Sequence, residues 1–371
     1  MLLLVPSNRF PPMERGIEGC RAPHRRRIES LFVPRYALLI LPAFNRVYGE
    51  SSIRLTRSEL AVFSERALSQ EVLDSEETVI GGVPYVTFDT AEPLSQPDIS
   101  LLSNLSSVYA IFGVEGALLR PLTMQSLDRL SSDLITIQKY AGKTNEHFTK
   151  LLLNVTALAG DKGLGDGLSV FDPLCGRGTT LNQALMYGYD AYGIDVDGKD
   201  FEAYGGFIKT WLRNKRLKHT AETVPVRRER ALVGRRLNVT FGLSKESVKA
   251  GDVQQLTVVN ADTLKSREFF KPRSFDLLVT DAPYGVQHGS KGGTGLSRSP
   301  LELLRQAVPV WAELLRPGGA MGIGWNTYGG KSSELAKILM AAGLEVVDYP
   351  DFEHWVDQAI VRDIIVARKP S

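Results

Sequence analysis

The twelve residues Val170-Phe171-Asp172-Pro173-Leu174-Cys175-Gly176-Arg177-Gly178-Thr179-Thr180-Leu181 constrain the fold of this chain more than any other stretch. A short apolar run ends in Asp-Pro, passes two glycines and opens a helix, so strand, tight turn and helix follow one another without a spacer. Glycine at 176 and 178 lets the backbone approach a ligand closely, and the helix start offers unpaired N–H groups to a carboxylate. The sequence downstream supplies a sheet for such a turn. Strands are expected at 169–172, 190–195, 256–260, 275–280 and 320–324 with helical stretches between them, and 344–349 with 359–367 reads as a closing antiparallel hairpin. The expected class is α/β with a doubly wound sheet.

Ahead of this region the order is strand (36–41), helix (57–69), hairpin, short helix (about 99–105) and strand (108–112). The hairpin turns at Gly81-Gly82. Thr56, with Glu59 three residues on, reads as a capping box that starts the first helix. A βαββαβ order predicts a small ferredoxin-like α+β domain, a fold that assigns no function by itself. Residues 1–33 carry Pro6, Pro11, Pro12, Pro23 and Arg25-Arg26-Arg27 without apolar periodicity and read as a flexible leader. The expected organisation is therefore a leader over 1–33, a small α+β domain over 34–125 open to a role in RNA binding, and an α/β domain over 126–371 with a basic insertion at about 209–250.

Composition bounds the setting. At 371 residues with 43% hydrophobic and 23% charged side chains, the chain can bury a sizeable core and exceeds one average domain. Cys20 and Cys175 are too few and too distant for a disulfide framework or a zinc site, so a reducing compartment, the cytoplasm, is expected. The apolar start is cut by Pro6, Asn8 and Arg9, well short of a signal segment or a membrane span. Five scattered histidines predict no metal site. A formal net charge of +2 argues neither for nor against nucleic acid, so the distribution of charge has to decide.

Twenty-three residues after Asp172, the second strand ends in Gly193-Ile194-Asp195-Val196-Asp197, where an acid can accept both hydroxyls of a ribose. A dinucleotide fingerprint would require a third glycine where Leu181 stands, which disfavours NAD. The Asp-Pro-Leu-Cys-Gly-Arg-Gly-Thr run followed by Gly-Ile-Asp-Val-Asp resembles the first two motifs of class I S-adenosylmethionine methyltransferases. That resemblance implies S-adenosylmethionine as cofactor, held by Asp172, Pro173, Cys175, Gly176, Gly178, Thr179, Asp195, Asp197 and Asp262. Within it, Gly176 and Gly178 border the methionine part, Asp195 holds the ribose, and Asp262 matches the acid that faces the adenine amine. As plain chemistry, Asp197 and Asp262 equally suit helix caps.

Asp281-Ala282-Pro283-Tyr284 ends the fourth expected strand and resembles the (Asp/Asn)-Pro-Pro-(Tyr/Phe) signature of enzymes that methylate exocyclic amines of nucleobases, with Ala282 in place of the commoner proline. The residue types suit the chemistry. A base amine is a poor nucleophile because its lone pair is delocalised into the ring, so its N–H groups need fixed acceptors as charge develops. Asp281 and a neighbouring carbonyl can accept them, Pro283 fixes the turn, and Tyr284 can stack on the base. The expected catalytic residues are Asp281, Pro283 and Tyr284.

Residues 139–149, with the helix through 151–154, precede the cofactor turn. Together with a front domain they resemble the THUMP-associated tRNA guanine-N2 methyltransferases, which implies transfer to N2 of guanosine in tRNA. Some members of that group need a small activating protein. Lys209, Arg213, Lys215, Arg216, Lys218, Arg227, Arg228, Arg230, Arg235 and Arg236 crowd the insertion against Glu222 and Glu229, and are read either as a phosphate-binding patch or as solvated helix faces. Trp211, among them, reads as a core residue before a base-stacking one. The Gly/Ser-rich stretch 285–300, with His288, Lys291 and Arg298, reads either as a mobile substrate loop or as a disordered connector. The expected substrate contacts are Arg213, Arg216, Arg227, Arg228, Lys291 and Arg298. Two other readings stay open: an adenine-N6 methyltransferase acting on DNA or rRNA, and an RNA-binding or partner subunit that has lost catalysis.

Overall fold

Along residues 35–40 and 83–89, alternate side chains turn to one side, and Tyr36, Leu38, Val86 and Phe88 are buried there. The computed structural model describes residues 33–41, 46–140, 142–283 and 300–371, with the backbone alone for 46–50. Its front part runs β1 (Arg35–Ile40), α1 (Arg46–Arg66), β2 (Leu73–Ile80), β3 (Val83–Asp89), α2 (Gln96–Leu102), β4 (Val108–Glu115) and β5 (Leu118–Pro121). These strands form one antiparallel sheet in the order β2-β3-β1-β4-β5. Gly81 and Gly82, both with positive φ (59° and 82°), make the two-residue turn between β2 and β3. A capping box at Ser95 and Asp98 starts α2.

The first helix begins at Arg46, not at 57. Thr56 thus lies inside it, donating its hydroxyl to the Ser52 carbonyl at 2.7 Å. Glu59 caps nothing: its buried carboxylate accepts from the Ser106 N–H (2.9 Å), the Ser106 hydroxyl (2.6 Å) and the Asn154 side-chain amide (2.8 Å). A Thr-x-x-Glu spacing also fits an interior helix face, where the threonine hydroxyl bonds back to the carbonyl four residues earlier. Burial pushes the Glu59 carboxyl up, against those hydrogen bonds. The Tyr187 hydroxyl donates to Asn154 Oδ1 at 2.8 Å, so one buried polar network joins the front sheet's helix to the segments behind it.

The chain continues through α3 (Asp133–Thr136), α4 (Glu146–Ala159), β6 (Ser169–Asp172), α5 (Thr179–Met186), β7 (Asp190–Asp195) and α6 (Gly198–Asn214). Next come β8 (Lys218–Arg228), β9 (Ala231–Gly242), α7 (Lys245–Ala250), β10 (Gln254–Asn260), α8 (Ser266–Phe269) and β11 (Phe275–Asp281). The last elements are α9 (Pro300–Leu314), β12 (Leu315–Asn326), α10 (Ser332–Ala341), β13 (Glu345–Val346), β14 (His354–Asp357) and β15 (Ile360–Arg368). The sheet order is β13-β15-β12-β11-β6-β7-β10-β9-β8, with β14 also paired to β15. The five strands from β12 to β10 are parallel, while β9 and β15 flank them antiparallel. Residues 275–280 of β11 are buried throughout, as expected of a strand covered on both faces. Order reverses at β6, whose successors go to β7 on one side and to β11 on the other, and ligands of open α/β sheets bind beyond the strand carboxyl ends at such a point.

Two expectations need correction. The insertion is not a set of helix faces: most of it is the β8–β9 hairpin, which extends the sheet beyond β10. The β-branched residues Thr220, Thr223, Val224 and Val226 are the signal that the charge count obscured. The hairpin that precedes β15 directly is β14–β15, while the expected arm at 344–349 meets β15 antiparallel over a shorter stretch, through Glu345, Val346 and the Val347 N–H, which donates to the Val366 carbonyl at 2.9 Å. The chain then leaves the sheet, and the Tyr349 hydroxyl donates to the Val155 carbonyl at 3.0 Å. No described helix is long and apolar enough to cross a membrane.

Candidate active site

The turn after β6 is built from its own backbone and two acids. Gly178 N–H donates to the Cys175 carbonyl at 2.7 Å, closing the turn, and Cys175 N–H donates to Ile194 O at 3.2 Å, tying it to β7. Gly176 and Gly178 adopt φ of +46° and +78°, a left-handed region that favours glycine. Asp195, at the end of β7, accepts from the Gly176 N–H (2.8 Å) through one oxygen and from the Asp197 N–H (2.8 Å) through the other. Burial raises the Asp195 carboxyl and these two N–H groups oppose the rise. A carboxylate offers about four acceptor positions, so two remain for ribose hydroxyls.

Asp172 is turned inward. Its Oδ1 accepts from the Leu174 N–H at 3.0 Å and from the Thr280 hydroxyl at 2.8 Å. Thr280 precedes Asp281 on β11, so this bond couples the glycine turn to the start of the second motif. Burial pushes the Asp172 carboxyl up to about 7 against the hydrogen bonds from Leu174, Thr280 and Thr180. The folded chain therefore holds a proton that the unfolded chain, near 3.8, releases. That contribution to stability is fully present below about pH 4 and is lost as pH rises towards about 7. Asp172→Asn removes the titration: urea unfolding across this window is expected to show the variant gaining on the wild type by a few kcal/mol as pH rises, whereas parallel curves would exclude it.

The other proposed cofactor residues fall at the same edge. Pro173 and Cys175 are buried in the turn, and Thr179 opens α5. Asp197 caps α6, accepting from the Lys199 N–H at 2.6 Å. Asp262 caps a short 3-10 turn after β10, accepting from the Leu264 N–H at 2.9 Å. Capping, open as an alternative for both acids, is what their carboxylates do here.

At the end of β11, Thr144 donates its hydroxyl to Asp281 Oδ2 at 2.7 Å, and Arg362 Nη2 from β15 lies 3.5 Å from the same oxygen. Ala282 donates its N–H to the Gly324 carbonyl at 2.8 Å. Proline has no N–H, so alanine at this position adds a tie to β12 that the commoner motif cannot make. Pro283 is partly buried. Tyr284, His288, Lys291 and Arg298 lie outside the described residues.

Side chains of the stretch quoted above for its resemblance, with Gln138 just ahead of it, connect the two motifs. Gln138 donates to the Arg177 carbonyl (3.4 Å), and the Tyr140 and Thr179 hydroxyls are 3.2 Å apart. The Arg177 guanidinium lies 4.7 Å from the Tyr140 ring centroid, Thr144 reaches Asp281, and Asn145 caps α4. Thr144, Thr280 and Arg362 are site residues that motif reading missed. For Arg362 a signal existed, a lone arginine in the apolar strand Ile360-Val361-Arg362-Asp363-Ile364-Ile365.

The basic residues do not form one patch. Asn260 pairs with Asp195 on one side and Arg235 on the other, which sets the level of the carboxyl edge. Arg227, Arg228 and Arg230 lie beyond that level, and Ala231 stands four residues past Arg235, about 13 Å at strand rise. Arg213 and Arg216 are exposed next to Lys218, seven residues before the partner of Arg235, about 23 Å towards the opposite edge. Arg235 is engaged with Glu202 and Asn260, and Arg236 with the Phe269 carbonyl. Trp211 is 4% exposed and donates its indole N–H to Asp133, so it packs in the core. Among the described residues, no group of three or more His, Cys, Asp or Glu could hold a metal ion.

A sheet that reverses order at a glycine turn, with an acid ending the neighbouring strand and an antiparallel strand beyond β12, is that of a class I methyltransferase domain. Residues 155–315 match the family model described as the RMKL-like methyltransferase domain, a likeness that implies S-adenosylmethionine as methyl donor. The turn fits that donor: a Cβ at Gly176 would meet nothing within 4 Å, leaving open space beside the backbone for a ligand. Among solved structures, the chain is similar to TrmN from Thermus thermophilus, with 14% identity, covering 78% of this chain and 57% of that one at a TM-score of 0.36. It is also similar to the N-methyltransferase NodS from Bradyrhizobium japonicum, with 14% identity, 60% and 95% coverage and a TM-score of 0.37. A methyltransferase from Pyrococcus furiosus shows 13% identity, 63% and 88% coverage and a TM-score of 0.38. A comparison with curated protein sequences gave no match.

Proposed function

We propose that this chain methylates the exocyclic N2 amine of guanosine in tRNA, with residues 126–371 as the catalytic domain and 34–125 as a front domain of ferredoxin-like type. The observation that carries the reading is the Asp172–Thr280 hydrogen bond, which sets the amine-type motif at Asp281 beside the glycine turn. The strand order β2-β3-β1-β4 with its helical connections supports the front-domain reading.

When bound, S-adenosylmethionine supplies an electrophilic methyl group. The chain's own residues orient the acceptor. Asp281 accepts an N–H of the amine, which keeps the nitrogen lone pair aimed outward and stabilises the positive charge that appears on nitrogen as it is alkylated. The amine loses its proton only after attack, so Asp281 serves as an acceptor and no strong base is required. Pro283 holds the turn, and Tyr284 is the ring that the motif offers for stacking on the base.

The hairpin tip supports an RNA substrate, because its arginines stand beyond the same edge as Asp195. Incubation with bulk tRNA and methyl donor, followed by nucleoside mass spectrometry, is expected to yield N2-methylguanosine. N6-methyladenosine, or transfer to duplex DNA in place of tRNA, would shift the assignment to the adenine reading, and absence of cofactor binding in calorimetry would favour an inactive subunit. In the same assay Arg227→Ala/Arg230→Ala is expected to raise KM for tRNA severalfold and to flatten the log–log salt slope by about 2. Arg213→Ala/Arg216→Ala, at the far edge, is expected to change neither, and a reversal of the two results would move the RNA to the other end of the hairpin.

A further inference from the structure

Strand β15 brings a guanidinium to the carboxylate at the centre of this site. Arg362 is only 5% exposed. It pairs in register with His354 of β14 and Asn326 of β12, between two strands. Its guanidinium carbon lies 4.4 Å from the centroid of the Phe148 ring, and Nη2 is 3.5 Å from Asp281 Oδ2. Thr144 donates to that same oxygen at 2.7 Å, so a hydroxyl and a guanidinium from segments more than 200 residues apart converge on one atom.

Placing an arginine in this position is expensive, because desolvating a guanidinium costs more than a surface ion pair returns. The face of Phe148 and the Asp281 carboxylate together offset that cost. Phe148 is itself fixed, with its ring 5.4 Å from that of His354. Burial, with the Arg362 charge adding to it, pushes the His354 imidazole down to about 4, so among the described residues the charge set against Asp281 at neutral pH is that of Arg362 and not of His354.

We propose that Arg362 is a positioning residue for methyl transfer: with Thr144 it fixes the Asp281 carboxylate through Oδ2, in the orientation that receives the amine N–H. The proposal rests on the reading of Asp281 as the amine acceptor. A carboxylate held at one oxygen by a hydroxyl hydrogen bond and a guanidinium loses rotational freedom, which fixes the direction in which it can accept. Misplacement of such a group by about 1 Å costs on the order of 10²-fold in rate without weakening binding.

The test uses the full chain and whichever amine the wild type methylates. Arg362→Met is expected to lower kcat by about 10–10²-fold while the calorimetric Kd for S-adenosylmethionine and the KM for RNA stay near wild type, and Arg362→Lys is expected to recover a good part of the loss. A wild-type kcat in Arg362→Met, or equal losses in rate and cofactor affinity that lysine does not rescue, would overturn it. Because Arg362→Met strands a buried carboxylate and can impair folding, Asp281→Asn/Arg362→Met is compared with Asp281→Asn alone. If Arg362 acts through Asp281, the second substitution costs nothing further; an undiminished further loss shows that it acts elsewhere. Failure of the guanine assignment reads out separately, as a product other than N2-methylguanosine.

Discussion

Asp281→Asn is expected to lower kcat by about 10²–10³-fold while cofactor affinity and the KM for RNA change by less than about threefold. Asparagine is the informative substitution. Alanine would leave Arg362 and Thr144 facing a gap, and removing one partner of a buried ion pair destabilises by about 3–5 kcal/mol, which would confuse loss of fold with loss of chemistry. Asparagine keeps the shape and can still accept the Thr144 hydroxyl that now reaches Oδ2 at 2.7 Å. What it removes is the negative charge opposite the nitrogen as that nitrogen becomes positive. Such an interaction exists mainly in the transition state, so its loss appears in kcat and spares binding. Single-turnover transfer combined with calorimetry of S-adenosylmethionine checks it. A near-normal rate would remove Asp281 from the chemistry, and a matched loss in cofactor affinity would make it part of the cofactor pocket instead.

What could be read from the sequence follows how local each feature is. The glycine turn after β6 is a short contiguous string whose residue types are dictated by turn geometry, so it was legible, as was the placing of Asp281 at the end of a strand. The doubly wound core was legible too, since strands buried on both faces stand out as apolar runs such as Phe275-Asp276-Leu277-Leu278-Val279. Glu59 was misread because a threonine three residues ahead satisfies a cap pattern equally at a helix start and within a helix, and only the contact with Asn154, 95 residues on, distinguishes them. The hairpin formed by β8 and β9 was not legible because its dense charges mask the alternation of a strand. Its register then separates Arg213 from Arg227, which composition had grouped. The apolar strand around Arg362 marked it as unusual, but its role was not legible there, since its partners Phe148 and Asp281 come from α4 and β11.

The two turn glycines are expected to respond differently to alanine, which separates ligand binding from folding at one loop. At Gly178 the added Cβ would sit 2.4 Å from the Tyr204 ring, a residue buried beneath α5 whose hydroxyl donates to Asn182 Oδ1 at 3.0 Å. The ring cannot move without breaking that bond, and the φ of +78° adds about 1–2 kcal/mol of strain for an L side chain. Gly178→Ala is therefore expected to lose several kcal/mol of stability together with cofactor binding. At Gly176 the φ of +46° imposes similar strain, but a Cβ there meets no protein atom within 4 Å. The cost to the free protein should stay near 1–2 kcal/mol, a fall in Tm of a few degrees for a chain this long. If that open space is where the methionine part of the donor lies, the same methyl group occupies the ligand's place, and affinity for S-adenosylmethionine should fall by 10-fold or more, on the order of 1.4 kcal/mol per decade. Thermal melts with and without the donor read both quantities in one experiment, because a bound ligand raises Tm by an amount that grows with the logarithm of its affinity for the folded state. Wild type should show a donor-induced rise, Gly176→Ala a near-normal melt with the rise lost, and Gly178→Ala a lowered melt with no rise. A Gly176→Ala protein that still gains full stabilisation from the donor would place the ligand away from this turn.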